Sequence, residues 1–202
     1  MTESMSFREC AEALIELLED IRPEQWDQPG LGVWTVRSLA GHAARAVQTV
    51  EQYLAGPEPD AADVPDAENY YVSVLGDVDN DAVAERGVLA GLALGDDPAA
   101  SVTLSLASAL AALAAQPTTR LVSVIGGRSI PLTEYLRTRV LELVVHTMDL
   151  SRATGITHTL PVAAVADTAA LAARVAVLKG AGDELLLALT GRVALPKGFS
   201  VV

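Results

Sequence analysis

The sequence predicts an all-α fold, a bundle of helices, and three observations carry that prediction. Apolar residues recur at helical spacing, as Phe7, Leu14, Leu17 and Leu18 do near the start. The segments between such stretches are mostly short and carry Pro or Gly. Neither a repeat of fixed period nor a heptad run organises the chain.

Each element has its own local reason. The first helix spans Ser6 to Asp20, with Glu12, Glu16 and Glu19 for its wet side. Pro23 and the Gln28-Pro29-Gly30 turn close that region. Thr35 opens the second helix as N-cap, with Trp34 and Leu39 at the two positions of a hydrophobic staple. The helix runs to about Leu54 and stops at Gly56-Pro57. Gly56 to Asp81 then holds eight acidic residues and no basic one, broken by Pro57, Pro59 and Pro65. It reads as a long acidic connection with a helical turn near Tyr70 and Tyr71, either a solvated loop or a lid over a site. Ala82 to Leu94 and Pro98 to Ala115 form a broken helix or a helix pair. Leu121 to Gly127 is β-branched and ends in a turn, as a short strand or an extended link does. Thr133 to Ala153 is the strongest helix, stopped by Thr154-Gly155. Pro161 opens another helix to about Lys179, and Asp183 to Thr190 is a short one. Leu195 to Phe199 is irregular.

Composition narrows the function. The 202 residues suggest one domain, or one with a small appendage, and 50% hydrophobic with 20% charged residues is globular. Lys plus Arg number 14 against 26 for Asp plus Glu, a formal charge of −12. Nucleic-acid phosphate and anionic lipid both require a basic face, so neither is expected as a partner. The single cysteine, Cys10, excludes a disulfide framework and a Cys-rich metal site and suits a reducing cytoplasm. Cys10 itself reads as a structural thiol. The acidic N-terminus has no basic leader segment. The uncharged stretch from Pro98 to Thr119 carries Ser101, Thr103, Ser105 and Ser108, so it suits a bundle interior better than a membrane.

The three histidines are His42, His146 and His158. On a helical wheel centred on Glu142, Tyr135, Arg139, His146 and Asp149 all fall within about 60°. This polar stripe is bordered by Leu136, Leu143, Val145 and Leu150. Buried charges need partners or a metal. Glu142 and His146 are four residues apart, a spacing that lets two side chains share one ion. The same spacing also serves plain helix-surface contacts, so a third ligand is required. His42 is the candidate, on a face with Arg45, Ala46, Thr49 and Tyr53. Gly41, Ala43, Ala44 and Ala46 around it let helices approach closely. Two histidines and one glutamate with an open fourth position form a catalytic zinc set. His158 reads as a solvent-facing loop residue.

Three stretches carry a family resemblance. They are Gln25-Trp26-Asp27, Trp34-Thr35-Val36-Arg37-Ser38-Leu39-Ala40-Gly41-His42, and Arg139 to Leu150 with Glu142, His146 and Asp149 in register. In order and spacing they resemble the N-terminal domain of the mycothiol-dependent maleylpyruvate isomerase family, part of the DinB-like metalloenzyme superfamily. The resemblance implies a DinB-like four-helix bundle over residues 1–156. The helices read beyond it make residues 157–202 a helical extension packed on that bundle. It implies His42, Glu142 and His146 as ligands of a divalent metal, zinc or another, with Arg139 and Asp149 beside them. It also implies mycothiol or a related small thiol as cosubstrate, and an actinobacterial source.

The expected function is a metal-dependent thiol transferase or isomerase acting on a small electrophile. Arg139, Asp149 and Arg45 are its candidate catalytic residues, the arginines by neutralising a substrate carboxylate or by pairing with Glu142 or Asp149. The alternative is a non-catalytic module of the same fold, with a structural metal or none. A monomer or homodimer is expected. The stretch after Gly155 is too short for the further domain of the two-domain isomerases, which leaves Arg192 as the basic candidate from that side.

Overall fold

A computed structural model describes residues 2–73 and 80–201. Four helices make the bundle: α1 (Glu3–Glu19), α2 (Val36–Leu54), α5 (Pro98–Ala114) and α6 (Leu132–Thr154). Both α1 and α2 pack on α5 and on α6, so each pair lies across a diagonal. Phe7, Leu14, Leu39, Val47, Leu143 and Leu150 fill the space between them without solvent contact. This confirms the all-α, DinB-like bundle.

Helix starts follow their capping chemistry. Thr2 caps α1 by accepting from the Met5 amide, so the helix begins three residues before the expected Ser6. Thr35 caps α2 as expected, accepting from the Ser38 amide at 3.3 Å. Asp97 caps α5 and Gly155, in the left-handed region, ends α6.

Outside the bundle lie α3 (Ala67–Ser73), α4 (Asn80–Ala93), α7 (Val162–Leu178) and α8 (Gly182–Leu189). Helix α4 packs on α2 at glycine: a Cβ at Gly41 would lie 2.0 Å from the Gly91 amide nitrogen. Helix α7 packs on α3 and α6, and α8 packs on α7 without burying any residue of its own.

The acidic connection is more ordered than a solvated loop. Glu58 accepts from the Arg120 guanidinium and the Leu121 amide. Asp63 accepts from the Ser129 amide at 3.1 Å. Tyr70 and Tyr71 sit on α3, a full helix where one turn was expected, and both are buried. Residues 74–79 of this connection lie outside the described residues.

The β-branched stretch resolves into strand β1 (Leu121–Ser123) and a tight turn over residues 125–127. A second strand, β2 (Ser129–Pro131), pairs antiparallel with β1 and was not expected from sequence. The turn needs Gly126 and Gly127, at φ +77° and +70°. Strand β2 runs directly into α6 and so anchors the start of the helix that carries the polar stripe.

Cys10 is fully buried, and burial and the neighbouring Glu9 charge push its thiol up to about 12. His158 is half-buried rather than solvent-facing. Among the described residues no single helix is long and apolar enough to cross a membrane.

Candidate metal centre

His42 comes from the middle of α2, where the close α2–α4 contact lets the flanking backbone pack tightly. Glu142 and His146 come from one face of α6, a turn apart. Their ligand atoms converge: all lie within 4.8 Å of one another. His146 Nε2 is 3.1 Å and His42 Nε2 4.0 Å from the same Glu142 oxygen, Oε2. The two imidazoles stand edge to face, centroids 4.8 Å apart. Two imidazole nitrogens and a carboxylate oxygen around one point suit a divalent ion of the zinc class. Ligand atoms on a tetrahedral zinc are about 3.3 Å apart, so the spacing needs only a small adjustment.

Each ligand is oriented by a different means. Asp149 Oδ2 lies 3.2 Å from His146 Nδ1 and turns Nε2 toward Glu142. Tyr71 on α3 places its hydroxyl 3.1 Å from Glu142 Oε1, and Arg139 Nη2 lies 4.0 Å from that oxygen. The two oxygens of Glu142 therefore divide the work, Oε1 held by protein and Oε2 facing the histidines. His42 is held by packing instead. The Trp34 ring lies 4.5 Å from it, and its own Nδ1 is buried without a hydrogen-bond partner among the described residues. Trp34 is fixed by donating to the Ala84 carbonyl at 3.0 Å, and its indole lies on Gly87, where a Cβ would come within 2.7 Å of Nε1.

The electrostatics of the metal-free chain follow from this arrangement. Burial pushes the Glu142 carboxyl up, but the His146 hydrogen bond and the Arg139 charge outweigh it and hold the carboxyl at about 2. Burial pushes His146 down, yet the hydrogen bonds to Asp149 and Glu142 raise it to about 9. Burial and the His146 charge together lower His42 to about 4. The proton thus rests on His146 between two carboxylates, while His42 offers a neutral lone pair. A bound metal would displace that proton.

The ligands open onto a cavity of about 620 Å³. Its wall includes the expected Arg45, Arg139 and Asp149. Arg139 is half-buried over the Tyr135 ring at 4.8 Å, donates from Nε to Thr138 Oγ1 and faces Glu142 Oε1 at 4.0 Å, so it is tied to the protein side of the cavity. Arg45 is half-buried on the wall.

Several residues in or behind the site escaped sequence reasoning. Trp34 reads as a staple, yet it also packs on His42. Tyr71 lies in the acidic connection, and its aromatic pair with Tyr70 was the available signal. Arg86 on α4 and Ser200 join the wall from distant parts of the chain. Arg192 does not: its Nη1 donates to the Thr190 carbonyl at 2.7 Å, on its own turn outside the cavity.

Comparison with curated proteins and with solved structures gives no significant match. The comparison with protein families does, and it spans the metal-centre residues of both α2 and α6. Residues 7–151, well over half of the chain, match the mycothiol maleylpyruvate isomerase N-terminal domain, and the chain belongs to that DinB-like family.

Proposed function

We propose that this protein is a divalent-metal-dependent enzyme that brings a small-molecule thiol, mycothiol or a relative, to a small electrophile. The reaction is S-transfer or a thiol-assisted isomerisation. The observation that carries this reading is the convergence of His42, Glu142 and His146 within 4.8 Å at the wall of a cavity.

A divalent ion, zinc first, would supply Lewis acidity there and stabilise the thiolate form of the thiol. The chain's own residues do the rest. Asp149 fixes the tautomer of His146 by accepting its Nδ1 proton. Arg139 and Tyr71 keep Glu142 charged and leave Oε2 directed at the histidines. Both Asp149 and Arg139 are therefore positioning residues. Arg45 is suited to bind an anionic group on the electrophile, because it lines the cavity with its guanidinium half-buried. Trp34, Tyr53 and Tyr70 give the cavity apolar walls that exclude water from the reacting groups.

The test is metal content by plasma mass spectrometry on tag-free protein, beside His42→Ala and His146→Ala. About one divalent ion per chain, lost in both variants with the helical signal retained, is expected. No ion in the parent after incubation with zinc would overturn the proposal. Once the ion is found, thiol addition to the cobalt-substituted protein should change its visible spectrum, because cobalt reports the exchange of oxygen for sulfur.

A further inference from the structure

One wall of the cavity comes from neither the bundle nor α4. Ser200 lines it together with His42, Arg45 and His146, although it lies beyond α8. Residues 189–198 are exposed throughout and form a stem. A turn follows, with the Phe199 amide donating to the Pro196 carbonyl at 3.1 Å and Gly198 at φ +79°. After the turn the burial alternates: Phe199 and Val201 are half-buried and Ser200 between them is exposed. An extended segment with its apolar side chains inward gives this pattern, and Val201 does pack against the core. The segment is pinned from the end of α7, where Lys179 Nζ donates to the Val201 carbonyl at 2.8 Å.

We propose that residues 199–201 form a strap across the cavity mouth, pinned by Lys179, and that this strap governs entry to the metal centre. The exposed Lys179 hydrogen bond and two half-buried side chains are among the contacts that hold it. Such a segment opens at far lower free-energy cost than the bundle beneath it. Ser200 then presents the only contribution of the segment after α8 to the described cavity wall. The inference concerns access to the cavity and stands whether or not the thiol chemistry above is correct.

Trp34 supplies the probe. It lines the same cavity, and the chain has only two tryptophans. Trp26 is buried, so Trp26→Phe leaves Trp34 as the single emitter. Acrylamide quenching is then measured in this background, without metal or thiol, so its failure is distinct from a failure of metal binding. Lys179→Ala, and separately the chain shortened by residues 196–202, should each raise the quenching constant at least about twofold, with an unchanged helical signal. Arg192→Ala loses a hydrogen bond on the exposed stem and should leave the constant unchanged. Quenching that stays at the parent value in both Lys179→Ala and the shortened chain would overturn the strap. So would an equal rise in Arg192→Ala.

Discussion

Asp149 Oδ2 sits 3.2 Å from Nδ1 of His146, one turn further along the same helix, and thereby aims the other ring nitrogen at Glu142. A carboxylate in this position fixes the tautomer and raises the basicity of a metal-binding imidazole. Asp149→Ala should therefore weaken divalent-metal affinity by about 10- to 100-fold while the helical signal is retained. Competition against a chromophoric chelator measures this. An affinity equal to the parent's would remove Asp149 from the site.

A second expectation concerns the contact behind His42. A methyl at Gly41 would meet the backbone of Gly91 at 2.0 Å, and one at Gly91 would meet the Arg37 carbonyl at 2.6 Å. Backbone cannot swing aside as a side-chain end can, so α2 and α4 would have to separate. Gly41→Ala should lose about 3 kcal/mol in urea unfolding, despite the better helix propensity of alanine. It should also weaken metal binding, because the Trp34 to Ala84 hydrogen bond beside His42 ties the segment leading into α2 to α4. A stability within about 0.5 kcal/mol of the parent would contradict this packing.

The acidic connection makes a pH prediction. Glu68 on α3 accepts from Arg137 on α6, at 2.9 and 3.1 Å, and from Arg174 on α7 at 3.2 Å. Burial pushes its carboxyl up, but these hydrogen bonds, Arg137 foremost, hold it at about 2. The folded value lies below the unfolded one. The stabilisation is therefore complete above about pH 4.5 and is lost as the pH falls toward 2. Arg174 is largely exposed and contributes little, so the whole effect is of order 3 kcal/mol at neutral pH. Glu68→Gln should lower neutral stability and flatten the acid limb of a pH–stability curve. An acid limb as steep as the parent's would assign the acid sensitivity to other carboxylates.

The parts of this fold that the sequence discloses are those set by local chemistry. Thr35 caps its helix because a hydroxyl there can reach the Ser38 amide, and that needs no knowledge of the rest of the chain. Glu142 and His146 share a face because α6 repeats every 3.6 residues, so their partnership is visible in the spacing. His42 is less visible, since its meeting with α6 depends on packing that only its small neighbours and the family resemblance suggest. Helix α3 reads as one turn because its acidic, proline-flanked sequence resembles a loop. What holds it is Arg137, far along the chain. Strand β2 has three residues, too few for a periodic signal. Ser200 reaches the cavity by a path fixed at Lys179, which no local pattern announces.

Arg139 tests how the charge of Glu142 is kept. Its half-buried guanidinium stacks over the Tyr135 ring and lies 4.0 Å from Glu142 Oε1. Two roles are possible for such a group, packing on the aromatic ring and holding the carboxylate ionised, and they predict different energetics. Arg139→Leu alone should cost about 2 to 3 kcal/mol, because it leaves a half-buried carboxylate with less compensation. Glu142→Gln alone removes the charge that Arg139 faces. If the pair is the reason for Arg139, the double variant should be more stable than the sum of the two losses by about 1 to 2 kcal/mol. If Arg139 acts only through Tyr135, the losses should add to within about 0.5 kcal/mol. The cycle is run by urea unfolding on metal-free protein, so the result depends on the side chains alone. Strong coupling would mean that Arg139 keeps Oε2 of Glu142 in its ionised, ligand-ready form. Additive losses would transfer that task to Tyr71, whose hydroxyl lies 3.1 Å from the same Oε1.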